Sequence, residues 1–275
     1  MEQTLYLECY SGISGDMTVA ALLDLGADEA VLRQVLDSLP VQGFRIEINR
    51  VMKSGIDACD FNVILEGNDN HDHDMEYLYG HLHHGEHTDS HTHEHQHTHS
   101  HAHRGMREIR EIIEKGDMTE GARRLALSIF SILAEAESKA HHVPVEEVHF
   151  HEVGAVDSIV DIVAVAVCLD NLNIKNVIVP ELWEGKGTVR CQHGILPVPV
   201  PAVINIMQAY GLPVQITGIT GELVTPTGAA IVAAIQTSGS LPLKFIIKKT
   251  GLGAGKREYE CPGILRAMLI EEKEG

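Results

Sequence analysis

Paired cysteines are missing from this chain. Its five cysteines, Cys9, Cys59, Cys168, Cys191 and Cys261, are odd in number, scattered and never spaced as Cys-x-x-Cys. That argues against a disulfide framework or a thiolate zinc site and fits a reducing, cytoplasmic setting. Basic residues are scarce: 21 Lys and Arg face 39 Asp and Glu, a formal net charge of −18. DNA, RNA and anionic membranes are therefore not expected partners, since phosphates are held mainly by Lys and Arg. The same charge also serves as a solubilising surface. Long apolar runs are absent as well. The longest, Ile162–Leu169, is too short to cross a bilayer, and residues 1–10 lack the basic and apolar regions of a secretory signal. What is present is 44% hydrophobic residues over 275 positions, enough for one large domain or two modest ones.

Periodicity gives the outline. Residues 4–10 read as a strand, followed by the turn Ser11-Gly12-Ile13-Ser14-Gly15 and a helix capped by Ser14 or Asp16 and ended at Gly26. A second helix starts at Asp28, carries Val31, Leu32, Val35, Leu36 and Leu39 on one side, and stops at Pro40. Residues 43–51 and 56–66 pair as a hairpin around Ser54-Gly55. Met106, Ile109 and Ile113 mark a helix, and Asp117-x-x-Glu120 is a capping box for another reaching His141. A helix over Asp157–Leu172 is apolar nearly all round and hence central. Strands at Lys175–Pro180, Val214–Thr217, 243–249 and 263–270 alternate with helices at Pro201–Tyr210 and from Thr225 to Ile235. The expected fold is α/β or α+β, a mixed sheet with several helices. One folded domain, 1–67 plus 105–275, is interrupted by a flexible insertion at 68–104, too poor in apolar surface to offset the entropy of ordering.

That insertion carries the strongest chemical signal. Thirteen of the 18 histidines lie within 71–103, and His91, His93, His95, His97, His99, His101 and His103 alternate with other residues. Imidazole suits nickel, zinc and copper rather than magnesium or calcium, and an extended chain puts alternate side chains on one side. Asp72, Asp74, Glu86, Asp89 and Glu94 add negative charge. The segment has no fixed coordination geometry, so it reads as a metal store or delivery arm, and catalysis must lie elsewhere.

In the folded part, Asp157 and Asp161 share a helix face four residues apart, just after His149, His151 and Glu152. These residue types admit a cation site or a network of caps and salt bridges. Thr225-Pro226-Thr227-Gly228 opens a helix whose N-terminus is either an anion site or an ordinary cap. Gly251-Leu252-Gly253-Ala254-Gly255-Lys256-Arg257 is glycine-rich and basic but misses the Walker A spacing; it either faces phosphate or forms a tight turn between strands.

Several runs in one order carry a resemblance over essentially the whole chain: Ser11 to Met17, the histidine segment, His149-Phe150-His151-Glu152-Val153-Gly154-Ala155-Val156-Asp157-Ser158-Ile159-Val160-Asp161, His193 to Pro199, and Thr225 to Gly228. The chain resembles the nickel insertion proteins of the nickel-pincer nucleotide pathway, which makes the cofactor of lactate racemase. The resemblance implies a nickel insertase, a metal chelatase that places Ni²⁺ in pyridinium-3,5-bisthiocarboxylic acid mononucleotide through two nickel–sulfur bonds and one nickel–carbon bond. It implies CTP with Mg²⁺ or Mn²⁺ as co-reactant, a further C-terminal CTP-associated half or second subunit, and apo lactate racemase as a recipient. A homo-oligomer is compatible with it. The implied catalytic residues are Asp16, His149, His151, Asp157, Asp161 and His193, the last a ligand or proton acceptor on this reading and a turn residue otherwise. Thr225, Thr227, Gly228, Lys256 and Arg257 would face the nucleotide, and the tract with His149, His151 and Glu152 would hold metal. Two other functions compete: a non-catalytic nickel or zinc store, which needs only the tract, and a metal-dependent hydrolase, for which no HExxH-type spacing is present.

Overall fold

The computed structural model describes residues 4–66, 75, 78, 104–150, 156–191 and 194–273. The tract from His91 to His103, and His151, Glu152 and His193, lie outside them, as does the side chain of His149. At the centre is a six-stranded mixed sheet. At one edge is a hairpin: β2 (Phe44–Lys53) and β3 (Ile56–Leu65) turn at Ser54 and Gly55, both at positive φ. β1 (Thr4–Glu8) lies inside, antiparallel to a late strand, Ile264–Glu272, and parallel to Asn176–Ile178. A long strand, Phe245–Ala254, joins the hairpin to Ile264–Glu272 and completes the sheet.

Helices cover one face of the sheet. α1 (Gly15–Asp24) follows β1, and α2 (Glu29–Ser38) starts at Asp28, whose carboxylate accepts the N–H groups of Ala30 and Val31. α3 (Met106–Lys115) buries Ile109 and Ile113, as its periodicity requires. α4 (Glu120–His141) is capped by Thr119, which accepts the Ala122 N–H at 3.0 Å, so the expected Asp117 box is replaced by a hydroxyl two residues on. Thr119 also donates to Asp170 at the end of α5 (Val156–Asn171), which ties the two helices. In α5 every residue from Ile159 to Leu169 except Asp161 is buried, so this is the central helix the composition predicted. At roughly 1.5–3 kcal/mol for each large aliphatic side chain withdrawn from water, it is a main support of the fold. α6 (Pro201–Tyr210) and α7 (Pro226–Ile235) begin with proline, and Gly211 ends α6 in the left-handed conformation.

Three features escaped the periodicity. β7 (Leu182–Lys186) pairs in parallel with β10 (Val214–Thr220), and a small hairpin joins β8 (Thr188–Cys191) to β9 (Gly194–Pro197). Gly251-Leu252-Gly253 lies inside the long strand, here β11 (Phe245–Ala254), rather than in a turn. Its glycines let α1 lie directly on the strand: a Cβ at Gly253 would stand 2.0 Å from the Met17 carbonyl oxygen, and one at Gly251 2.2 Å from that of Ala21. Within the stretch read as an insertion, Leu78 is buried against the main core. Arg104–Gly105 (β4) pairs antiparallel with His149–Phe150 (β5), which ties the chain just after the tract to the His149 motif. The remaining strands are β6 (Asn176–Ile178) and β12 (Ile264–Glu272).

Candidate functional site

The loop between β1 and α1 is pinned from both sides. The Ile13 N–H donates to the Leu223 carbonyl at 3.0 Å, and the Ile13 carbonyl accepts the Thr225 N–H at 3.1 Å. Gly12 is needed there: its φ is +82°, and a Cβ would lie 2.0 Å from the Leu223 oxygen. Gly228 is needed opposite, where a Cβ would meet the Ile13 oxygen at 2.1 Å. The N-termini of α1 and α7 are thereby held side by side.

Behind the first turn of α1 stands Asp161 of α5. Gly15 makes room, since a Cβ there would lie 2.6 Å from Asp161 Oδ2, and the Asp16 N–H donates to the Asp161 carboxylate. Burial, then the charges of Asp16 and Asp157, push the Asp161 carboxyl well above the usual carboxylate range, and Lys256 offsets part of this. Ser14 donates to Asp16 Oδ1. Asp16 Oδ2 and Asp161 Oδ1 are buried and have no hydrogen-bond partner among the described residues. A buried oxygen left so costs about 1–3 kcal/mol, and a divalent cation is a ligand class that recovers it.

In front of Asp16 opens a small cleft, partly open to solvent. One wall is Ser11, Ser14 and Asp16; a second is Glu222, Leu223 and Thr225; a third is Lys256, Arg257 and Tyr259. Lys256 pairs with Asp60 of β3. Arg257 pairs with Glu222 at 2.7 Å, and the Tyr259 hydroxyl donates to the Glu222 carbonyl at 2.8 Å.

The sequence-predicted residues thus divide. Asp16, Thr225, Lys256 and Arg257 line one cleft, with Asp161 directly behind and Asp157 close enough to act on its charge. Thr227 is buried, and Gly228 gives its N–H to Thr225 Oγ1 at 3.1 Å, so neither lines the cleft. For His149 only the backbone, in β5, is placed; His151, Glu152, His193 and the tract histidines lie outside the described residues. Among the described residues no group of three or more His, Cys, Asp or Glu is arranged to hold a metal ion. The sequence reading missed Glu222 and Tyr259, which no local pattern marks, and Glu184, fully buried in the unforeseen β7. Glu184 Oε1 accepts the N–H groups of Gly185 and Leu223 at 2.8 Å each and of Val224 at 3.1 Å.

Among the described residues no helix is long and apolar enough to cross a membrane. No solved structure matches the chain significantly. Three curated relatives carry the name pyridinium-3,5-bisthiocarboxylic acid mononucleotide nickel insertion protein. One, from Alkaliphilus metalliredigens, is 54% identical over 99% of this chain and 61% of its own length. One from Clostridium acetobutylicum is 46% identical over 98% of this chain and 64% of its own. One from Acetivibrio thermocellus is 38% identical over 98% and 61%. The chain therefore spans about three-fifths of the length of these relatives. The family described as nickel insertion protein matches residues 5–275, and with these identities the chain belongs to that family.

Proposed function

We propose that this chain forms the nickel-placing part of an enzyme that inserts Ni²⁺ into pyridinium-3,5-bisthiocarboxylic acid mononucleotide, with the cleft in front of Asp16 as its substrate seat. The observation that carries this is one juxtaposition: Asp16 lines one wall of a cleft, with Asp161 directly behind it, and another wall bears Lys256 and Arg257. A pyridinium mononucleotide has matching ends. Its phosphate fits Lys256, Arg257 and the Thr225 turn, and its cationic ring fits the acidic end.

Nickel is the substrate metal here, so a permanent cage of protein ligands is not required. Asp16 and Asp161 would hold it in part, with the thiocarboxylate sulfurs completing the shell; these softer donors then keep the ion as it leaves oxygen or imidazole. As the nickel–carbon bond forms, the ring C–H must give up its proton. Asp161, whose second oxygen has no partner among the described residues, is suited to take it through Asp16 or directly. His149 and His151 are proposed as further nickel donors, supplied by the tract, whose end is tied to their segment through β4 and β5. Their neighbour Glu152 in the sequence, and His193, keep the roles the family resemblance gives them. CTP with Mg²⁺ or Mn²⁺ is proposed to act with the part of the relatives that this chain does not span, and apo lactate racemase to receive the product.

The storage reading accounts for the tract but leaves the cleft and its orphaned carboxylate oxygens without a purpose. Incubation of the chain with the precursor, Ni²⁺ and CTP, with and without the remaining portion of a relative, tests the proposal. Mass spectrometry should find a product containing one nickel per nucleotide. Nickel bound to protein alone, with the precursor recovered unchanged in both mixtures, would support storage.

A further inference from the structure

Glu184 is fully buried and does not itself line the cleft. Three backbone N–H groups converge on its single oxygen Oε1; one is that of Leu223, which lines the cleft's second wall, and another that of Val224, the residue between the wall residues Leu223 and Thr225. Oε2 is buried with no partner among the described residues. The wall held in this way reaches in three directions. Its Leu223 carbonyl accepts the Ile13 N–H and so fixes the loop that leads to Asp16. Its Glu222 carbonyl accepts the Tyr259 hydroxyl, and the Glu222 carboxylate pairs with Arg257. Its next residue, Thr225, caps α7. The close approach is built in: a Cβ at Gly185 would stand 1.8 Å from the Gly221 carbonyl oxygen.

An ordinary extended segment would satisfy its N–H groups in a strand ladder. The 222–224 segment instead gives Leu223 and Val224 N–H to one side chain, because β10 ends at Thr220 and the chain must turn away from β7 to line the cleft. We infer that Glu184 is a positioning residue whose Oε1 fixes the 222–225 wall of the cleft and thereby sets its affinity for a pyridinium mononucleotide without contacting it. The inference rests on the reading of the cleft as the mononucleotide seat. Burial pushes the Glu184 carboxyl up to about 7 despite the three N–H donors. A carboxyl close to neutral is copied well by glutamine, whose amide oxygen can accept the same three bonds.

The test titrates nickel-free pyridinium-3,5-bisthiocarboxylic acid mononucleotide into wild type, Glu184→Gln and Glu184→Leu by calorimetry, with amide exchange read on the same proteins. Glu184→Gln should bind within about threefold of wild type, and Glu184→Leu about tenfold or more weakly. In Glu184→Leu the Leu223 and Val224 amides should exchange faster while those of β1 and α5 stay protected. Equal binding by folded Glu184→Leu overturns the inference and leaves the cleft reading standing. An equal loss in folded Glu184→Gln also overturns it, since charge and not the acceptor would then matter. If Glu184→Leu fails to fold, Glu184→Asp, which withdraws the acceptor by one methylene, replaces it: weaker binding supports the inference and unchanged binding overturns it. A wild type that binds no mononucleotide overturns the cleft reading and this inference together.

Discussion

The histidine tract and the cleft are encoded in opposite ways. The tract writes its chemistry seven times over in thirteen consecutive positions, from His91 to His103, so any short piece of it carries the same imidazole donor. The cleft draws Ser11, Asp16, Glu222, Thr225, Lys256 and Tyr259 from sites far apart in the chain, and Asp161 from a buried helix between them. Repetition supplies capacity; convergence supplies a fixed geometry. The difference teaches that the conspicuous histidine segment and the proposed place of bond formation need not coincide, and each can be perturbed separately.

The largest effect is expected at the convergent site. Asp161→Asn keeps an oxygen for the Asp16 N–H but removes the basic carboxylate, and insertion should fall by about 10²–10⁴, the usual worth of a positioned general base. Stability should hold or rise, because a like charge leaves the Asp16–Asp157–Asp161 group. Thermal unfolding beside turnover separates the two: a parallel loss of both would make Asp161 a structural residue.

Next comes a pH effect to which the residue behind the cleft wall contributes. Glu184 releases its proton at about 7 when folded and near the ordinary 4.5 when unfolded. Between those values the unfolded chain binds fewer protons, so stability falls as pH rises, by up to about 3 kcal/mol from this group. Asp161 acts in the same direction. Chemical denaturation of Glu184→Gln at several pH values between 4.5 and 7 should show a flatter profile than wild type.

Gly253→Ala should follow. A methyl group 2.0 Å from the Met17 oxygen forces α1 off β11, at a cost of about 1–3 kcal/mol, and should weaken mononucleotide binding because Asp16 rides on α1. Denaturant midpoints and calorimetry read both; a neutral substitution would mean that the close contact of α1 and β11 does not set the cleft.

These contrasts also mark what the sequence could disclose. The helices with strong apolar periodicity or proline starts, α2, α3, α5, α6 and α7, were legible because burial on one face repeats at fixed intervals. β7 and the β8–β9 hairpin were not, because five- and four-residue strands are too short to establish a period. Asp16, Thr225, Lys256 and Arg257 could be singled out by their turns and helix starts, and they do share a cleft. Glu222 and Glu184 could not, since their meaning comes from partners dozens of positions away. Gly251 and Gly253 showed that something special happens there but not what, because a turn and a helix crossing ask for the same missing side chain.

The smallest stability effect is expected in the tract. Leu78 belongs to the core, so a clean deletion starts after it. Removing residues 81–103 should shift the melting temperature little, while nickel bound per chain drops sharply. Nickel held by the tract in wild type should be released as pH falls through about 6.5, where imidazoles protonate.

The most direct test of the division between capacity and chemistry is insertion by the 81–103 deletion across a nickel titration, alongside Asp16→Asn. The deletion should need more nickel yet reach the wild-type rate at saturation, and Asp16→Asn should stay slow at every concentration. A folded deletion variant that cannot insert nickel even in excess would place the tract inside the catalytic site and contradict the account.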